Sequence, residues 1–340
     1  MIGRAQLRCR GGAAIVAVAA LLPGAAAAAG PLPLALVHDV PLPGRPTRFD
    51  YQWVDSARGR LYIAHLGDDS IDVVDLRSDK VVGVIGGLPR VHGVLAVPER
   101  HLVLATVTGD KALALIDDRT LVVRARVPAG EYPNGLAFDS RTARAFVSNN
   151  EGLGVGVVDV ERGVALPGVD IGGGAGNSQY DPPSGHVFVA VHKAAVLVEI
   201  DPAAARVVAR HPLDGVRSCH GLLVAAEQRL AFAACGSEAG PRLVTFDLAS
   251  MRQVSAQPIP RQADVLAFDP GPRRLYVSSE TGSCAVFEVA AAGDRRVMKL
   301  GEGFVGPDAH TVSVDPQSHR VYFPLESVGG RAVLRVMEPR

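Results

Sequence analysis

The feature that most limits how this 340-residue chain can fold is a sequence unit that returns seven times. One copy reads Asn134-Gly-Leu-Ala-Phe-Asp139, then Arg144-Ala-Phe-Val-Ser-Asn149, then Val157-Val-Asp-Val160. Another reads Asp264-Val-Leu-Ala-Phe-Asp269, then Arg274-Leu-Tyr-Val-Ser-Ser279, then Val286-Phe-Glu-Val289. Each copy holds three short β-rich runs parted by turn residues. Five further copies follow the template, so that Asp55, Pro98, Asp139, Asp181, Ala226, Asp269 and Asp315 are equivalent, at spacings of 43, 41, 42, 45, 43 and 46 residues. A period in the low forties with short strands is what four-stranded propeller blades produce. The runs lack the 3.6-residue spacing of a helical repeat, and a two-sheet sandwich would not repeat its motif seven times.

A fourth, outer strand follows in several units, as in Val81 to Ile85, Val122 to Val127 and Ala205 to Ala209. The seventh unit has three strands only, and Leu34 to Val40 supplies its fourth. The expectation is an all-β, seven-bladed β-propeller over residues 30–340, its last blade closed by an N-terminal strand. Closure removes the strand edges that would otherwise invite association.

The runs Tyr276-Val-Ser-Ser279, Phe146-Val-Ser-Asn149 and Tyr62-Ile-Ala-His65, each followed by a glycine and a strand of the Val-x-Asp type, resemble the YVTN/YncE-like repeat family. The likeness spans residues 30–340 and departs in the fourth and fifth units, where Asp-Pro-Pro-Ser and Ala-Glu-Gln replace the usual turn. It implies the propeller and export, and little chemistry, because the fold hosts varied functions.

Arg4, Arg8 and Arg10 precede the apolar run Ala13 to Leu22 and the small-residue stretch Ala25 to Gly30. That order predicts a secretory signal peptide over 1–29, cleaved near Ala29, and hence a periplasmic or secreted protein. An uncleaved anchor is the alternative, although Pro23 and Gly24 interrupt the run short of the roughly 20 apolar residues that span a bilayer. Cys9 precedes the run and so is not an acylated lipoprotein cysteine. Loss of the three arginines takes the net charge from 0 to −3. With no basic cluster interleaved with aromatics, no nucleic-acid partner is expected, and no membrane span remains after cleavage.

Aligning the units puts Asp50, His92, Asn134, Asn177 (beside Gly176), His220, Asp264 and His310 at the entry to the innermost strand. His65, Thr106, Asn149, His192 (after Val191), Cys235, Ser279 and Leu325 fall at the end of the second. In a propeller both places lie on one face, so five of the ten histidines are expected at one channel mouth. Polar residues before glycine, as in His92-Gly93, Asn134-Gly135 and His220-Gly221, also suit turns, and a channel mouth is wet. A turn explains Asn and Asp better than it explains three equivalent histidines.

Imidazole is the commonest metal ligand, and with carboxylates it suits zinc, copper or iron. His92, His220 and His310 are thus candidate ligands of a divalent ion, with Asp50, Asp264 or Asn134 as further ligands or bases. The leading reading is an exported binding or interaction protein using this face for a small ligand, a metal ion or a periplasmic partner protein. The alternative is a metal-dependent enzyme at the same face, a hydrolase by analogy with propeller lactonases or an oxidoreductase. A purely structural scaffold is a third. Gly172 to Gly176 precedes a strand, so no phosphate-cradling loop is present, and neither H-E-x-x-H nor G-x-S-x-G occurs. Trp53 is expected to pack within the first blade.

Beyond the leader stand three cysteines, Cys219, Cys235 and Cys284, with no C-x-x-C, which argues against a zinc ribbon, a thioredoxin-type site or covalent haem. A simple hairpin about Glu227 would pair Leu223 with Ala231, Gly221 with Ala233 and Cys219 with Cys235, allowing a cross-strand disulfide beside His220. Two free, partly buried thiols or a soft-metal role for Cys235 are the alternatives, and a one-residue slip would part the cysteines.

Overall fold

The computed structural model describes residues 1, 3, 30–152 and 154–340, so nearly all of the leader expected over 1–29 lies outside the described residues. Seven antiparallel sheets follow one another along the chain. The first runs Gln52–Asp55, Arg60–His65, Ser70–Asp75 and Lys80–Ile85 from the channel outward. The later innermost strands are Val91–Val97, Pro133–Asp139, Ala175–Asp181, Arg217–Ala225, Ala263–Asp269 and Ser313–Val314.

Position within the blade decides which residues each strand can use. Second strands lie between two blades and read as continuous buried runs, as in Arg144–Asn149, whereas outer strands such as Arg252–Pro258 alternate exposed and half-buried residues because one face meets solvent. The third residue of the second strand is aromatic in five units, Tyr62, Phe146, Phe188, Phe232 and Tyr276, and Tyr322 stands second in Val321–Val328 of the seventh; all six are nearly inaccessible to solvent. Burial of each such side chain contributes about 1.5–3 kcal/mol. Blade contacts are made by these and neighbouring apolar residues, as where Leu102 and Leu104 of the second blade meet Ala145, Val147 and Val158 of the third.

The recurring Asp that ends the innermost strand has a local cause. Asp55, Asp139, Asp269 and Asp315 each accept a backbone N–H two or three residues on, at 3.1–3.2 Å, which fixes the turn into the second strand.

The ring closes as expected, with Leu34–Pro41 antiparallel to Arg331–Pro339 as the outer strand of the seventh blade. Arg335 clamps the joint by a two-pronged pair with Asp39, at 2.8 and 2.7 Å. One addition was not read from the sequence. Gly30–Pro31 pairs parallel with Val297–Phe304, so the sixth blade carries a fifth strand. A Cβ on Gly301 would stand 2.2 Å from the Pro31 carbonyl oxygen, which explains the glycine there.

Cys219 and Cys235 form a disulfide, Cα to Cα 4.0 Å, while Cys284 is buried and free. The simple hairpin register does not hold. Leu223 faces Phe232 and Val224 faces Ala231, one residue away from the expected pairing, and a bulge between Cys219 and Leu222 brings the cysteines back opposite each other. The bond leaves no thiolate on Cys235, so its soft-metal role is withdrawn. Trp53 is also corrected: it is 38% exposed and lines a cavity at the far mouth of the channel.

Candidate functional site at the channel mouth

That bulge is one of a set. The pairing of innermost and second strands shifts between Val91 and Val94, Pro133 and Leu136, Ala175 and Ser178, Cys219 and Leu222, and Ala263 and Leu266. The residues inside the shifts include His92, Asn134, Asn177, His220 and Asp264, so five of the seven aligned polar positions are bulge positions, Asp50 and His310 being the exceptions. A bulge leaves a residue out of the ladder and re-aims its side chain. The following glycines serve space and not turn geometry: Gly93, Gly135 and Gly221 are absent from the left-handed region. A Cβ on Gly93 would lie 2.4 Å from the Asn134 carbonyl oxygen, and one on Gly221 would lie 2.0 Å from that of Asp264. Neighbouring innermost strands approach too closely for any side chain there.

A cavity of about 560 Å³ opens on this face, with Asp50, His92, Asn134, His220 and Asp264 among its walls. Blade order sets these groups in an arc around the channel: His220, Asp264, His310, Asp50, His92 from the fifth blade through the seventh to the second. Imidazole and carboxylate alternate. His220 Nε2 stands 3.4 Å from Asp264 Oδ1, and His92 Nε2 stands 4.0 Å from Asp50 Oδ2. His310 is buried, within the field of Asp264, Arg48 and Glu280, and His192 meets His220 edge-on with ring centroids 5.4 Å apart.

Sequence alignment missed the cavity's other charged walls. Arg48 pairs with Glu280 at 3.0 Å, and the Arg90 guanidinium lies over the Tyr132 ring and donates to its hydroxyl. Arg48 stands two residues before the aligned Asp50, and Glu280 one residue after the aligned Ser279. Reading one or two residues to either side of each aligned position would have found them.

Two candidates serve the fold instead, and a third faces a different cavity. His65 is fully buried, stacked on Phe49 at 4.1 Å, with Nδ1 3.3 Å from Asp72 and Nε2 near the Arg45 carbonyl and Thr47 hydroxyl. Asn149 accepts the Tyr132 N–H and donates to the carbonyls of Ala129 and Val147. Asn177 accepts its neighbour's N–H from Ser178 and faces the cavity at the far mouth.

Burial sets the ionisation of the arc. Asp50 is pushed well above the usual carboxylate range by burial and then by Asp264. Burial lowers His92 to about 4 and lowers His310 as well, and it lowers His192 with help from His220. The Tyr51 hydroxyl is raised by burial, Asp264 and Asp50. Several buried polar atoms here have no hydrogen-bond partner in the protein: Asp264 Oδ1, Asn134 Oδ1, His310 Nε2, His192 Nδ1 and Tyr51 Oη. Such atoms cost about 1–3 kcal/mol each unless something satisfies them.

His92, His220 and His310 approach the mouth from three different blades without meeting. Among the described residues no group of three or more His, Cys, Asp and Glu side chains converges as metal ligands would.

Seven blades and an N-terminal closing strand define a seven-bladed β-propeller with a polar mouth. Among the described residues no helix is long and apolar enough to cross a membrane. No protein-family model and no curated protein matches the sequence, so the YVTN/YncE-like resemblance rests on its repeat residues alone. Solved structures share the fold. A Kuenenia stuttgartiensis hydrazine synthase chain is 13% identical with a TM-score of 0.75, covering 86% of this chain and 96% of its own. The WD40 repeats of RRP9 are 11% identical with a TM-score of 0.72, covering 90% and 100%. A chain of a mitotic checkpoint complex is 10% identical with a TM-score of 0.71, covering 98% and 99%.

Proposed function

We propose that this chain is an exported, YVTN/YncE-like binding propeller that seats a small polar ligand, or a polar segment of a periplasmic partner, in the His/Asp-lined mouth. The observation that carries the reading is the cavity of about 560 Å³ whose buried polar atoms lack partners within the chain. A merely wet channel gives no reason for a half-ring of alternating imidazoles and carboxylates, three of which, His92, His220 and Asp264, stand on bulges where side chains are re-aimed. Export is supported by the N-terminal Arg-rich, apolar and small-residue order and by a disulfide, which persists in an oxidising compartment. Similar propellers occur in assemblies, the mitotic checkpoint complex among them.

Native mass spectrometry of protein recovered from the periplasm tests this. The expected result is a bound small molecule or co-purified protein that disappears in the double variant Asp264→Asn, His220→Gln while the fold, followed by circular dichroism, is kept. Retention of the bound species by that variant would overturn the reading, as would turnover of a substrate abolished by the same substitutions. Recovery of the chain in the cytoplasmic fraction would overturn export alone.

A further inference from the structure

The far mouth of the channel has walls of a chemistry opposite to that of the polar mouth. Its cavity, of about 430 Å³, has one charged residue in its wall, Glu227, which is exposed in the turn after the fifth innermost strand. Three polar side chains of the wall have partners within the chain. Gln52 donates to the Tyr322 carbonyl at 3.1 Å and accepts the Ser313 hydroxyl at 3.0 Å, and Asn177 accepts the Ser178 N–H. Of the buried polar atoms without a partner, only Tyr51 Oη belongs to a residue of this wall, and burial keeps that hydroxyl protonated.

Position in the blade explains the shape of this cavity. The residue that faces the second-strand aromatic across the innermost pair is Ala137, Gln179, Leu223, Ala267 and Ser313 in the third to seventh blades and Trp53 in the first. The short side chains of Ala267 and Ser313 leave room in the wall, while Trp53, at the equivalent place, is 38% exposed. Half-buried Phe268 and Val224 add to the apolar lining. A plain axial channel would draw on all seven blades alike. This wall comes mostly from the fifth, sixth, seventh and first blades, while the second and third give only Gly93 with Val94 and Gly135 with Leu136.

Leaving an indole in water forgoes the burial of one of the largest apolar side chains, and pockets for small molecules, of about 300–1,000 Å³, are built of such apolar and aromatic walls. A protein partner would need about 800 Å² on each side, whereas this cavity holds a small molecule by itself. A charged group entering it would lose hydration against walls whose one charge, Glu227, lies out in solvent. Aromatic rings gain from offset or edge-on contact with another ring, which Trp53 and Phe268 both offer.

We propose that the far cavity is a second binding site, separate from the polar mouth, for a small uncharged aromatic molecule whose ring lies against the Trp53 indole. The site stands whether or not the polar mouth seats a ligand of its own.

Trp53 is the chain's single tryptophan, so tryptophan emission reports on this cavity alone. The probes are N-phenylnaphthylamine, which is uncharged at neutral pH, and anilinonaphthalene sulfonate, which has the same rings and a fixed negative charge. N-phenylnaphthylamine is expected to saturate at one equivalent, quenching Trp53 emission as its own emission rises. The sulfonate should bind at least about 10-fold more weakly, because its charge finds no partner in the wall. Followed through the probe's own emission, Trp53→Ala should weaken N-phenylnaphthylamine binding roughly 10-fold, the scale of a lost aromatic contact, and Trp53→Phe should restore most of it. Should Trp53→Ala fail to fold, the comparison of the two probes on the wild type still decides. Equal binding of both probes, binding that does not saturate near one equivalent, Trp53 emission that ignores the probe, or an affinity unchanged in Trp53→Ala would each overturn the proposal. Emission from Trp53 that shifts with protein concentration alone would place a second copy of the chain over the cavity and overturn it as well.

Discussion

His92 gives a sharp numerical test, because its ring is held neutral inside a folded wall and is free to protonate once the chain unfolds. Burial lowers it from 6.5 to about 4, so between those values the unfolded state binds more protons than the folded state. A histidine with a depressed folded pKa contributes stability that is whole above pH 6.5 and is lost as pH falls toward 4. Moving from pH 7.5 to pH 4.5 gives about 2 pH units of protonation in the unfolded chain only, which at 1.36 kcal/mol per unit amounts to roughly 2.5 kcal/mol.

Other groups titrate in this window too, Asp50 with the opposite sign because its folded pKa is raised. The measurement is therefore a difference. Urea unfolding of the wild type and of His92→Gln at both pH values should show the wild type losing about 2.5 kcal/mol more than the variant on acidification. A difference that stays within about 0.5 kcal/mol, or a His92 Cε1–H resonance titrating near 6.5, would refute the argument that burial holds this ring neutral.

Three further outcomes are expected. Replacing both Cys219 and Cys235 by Ser should cost about 3 kcal/mol in chemical unfolding, the loop-entropy value for cysteines 16 residues apart, and intact protein without its leader should show one thiol, Cys284, only after denaturation. Arg229 Nη1 reaches both oxygens of the fully buried Asp181 at 2.7 and 2.8 Å across two blades. Arg229→Met should therefore cost about 3 kcal/mol, with most of it regained in the double variant with Asp181→Asn, where no buried charge is stranded. Deleting residues 30–41 should uncover the edge of Arg331–Pro339, lower Tm by roughly 10 °C or more and produce oligomers on size exclusion.

The blades, their number and the closing strand were legible because each rests on a local signal repeated seven times. The Asp of Asp139 or Asp315 marks a turn through its own side chain, and Phe146 or Tyr276 marks a fully buried strand. What escaped was whatever depends on the meeting of distant segments. Gly30–Pro31 carries no strand signal and pairs only because Gly301 leaves room for it.

Alignment placed His65 and Asn149 on the correct face but could not tell a side chain that enters the mouth from one that turns back. That depends on neighbours such as Phe49 and Tyr132, which lie 16 or 17 residues away. The one-residue error around Cys219 has the same origin. A bulge has no sequence mark of its own beyond a polar residue next to a glycine, and it shifts every pairing on one side of it.

The clasp between Leu34–Pro41 and Arg331–Pro339 also orders events in time. Its first half is among the earliest parts of the blades to be synthesised and its second half the latest, so this ladder cannot form before the seventh blade is made. Joining ends some 300 residues apart costs roughly 5 kcal/mol of chain entropy, a cost kept low only if the six blades between have already stacked and brought the ends together. Until the seventh blade is complete, the chain has to keep its first strand unpaired. A product cut short by even one blade offers that strand no partner, and remains an open arc with two raw edges for quality control to recognise.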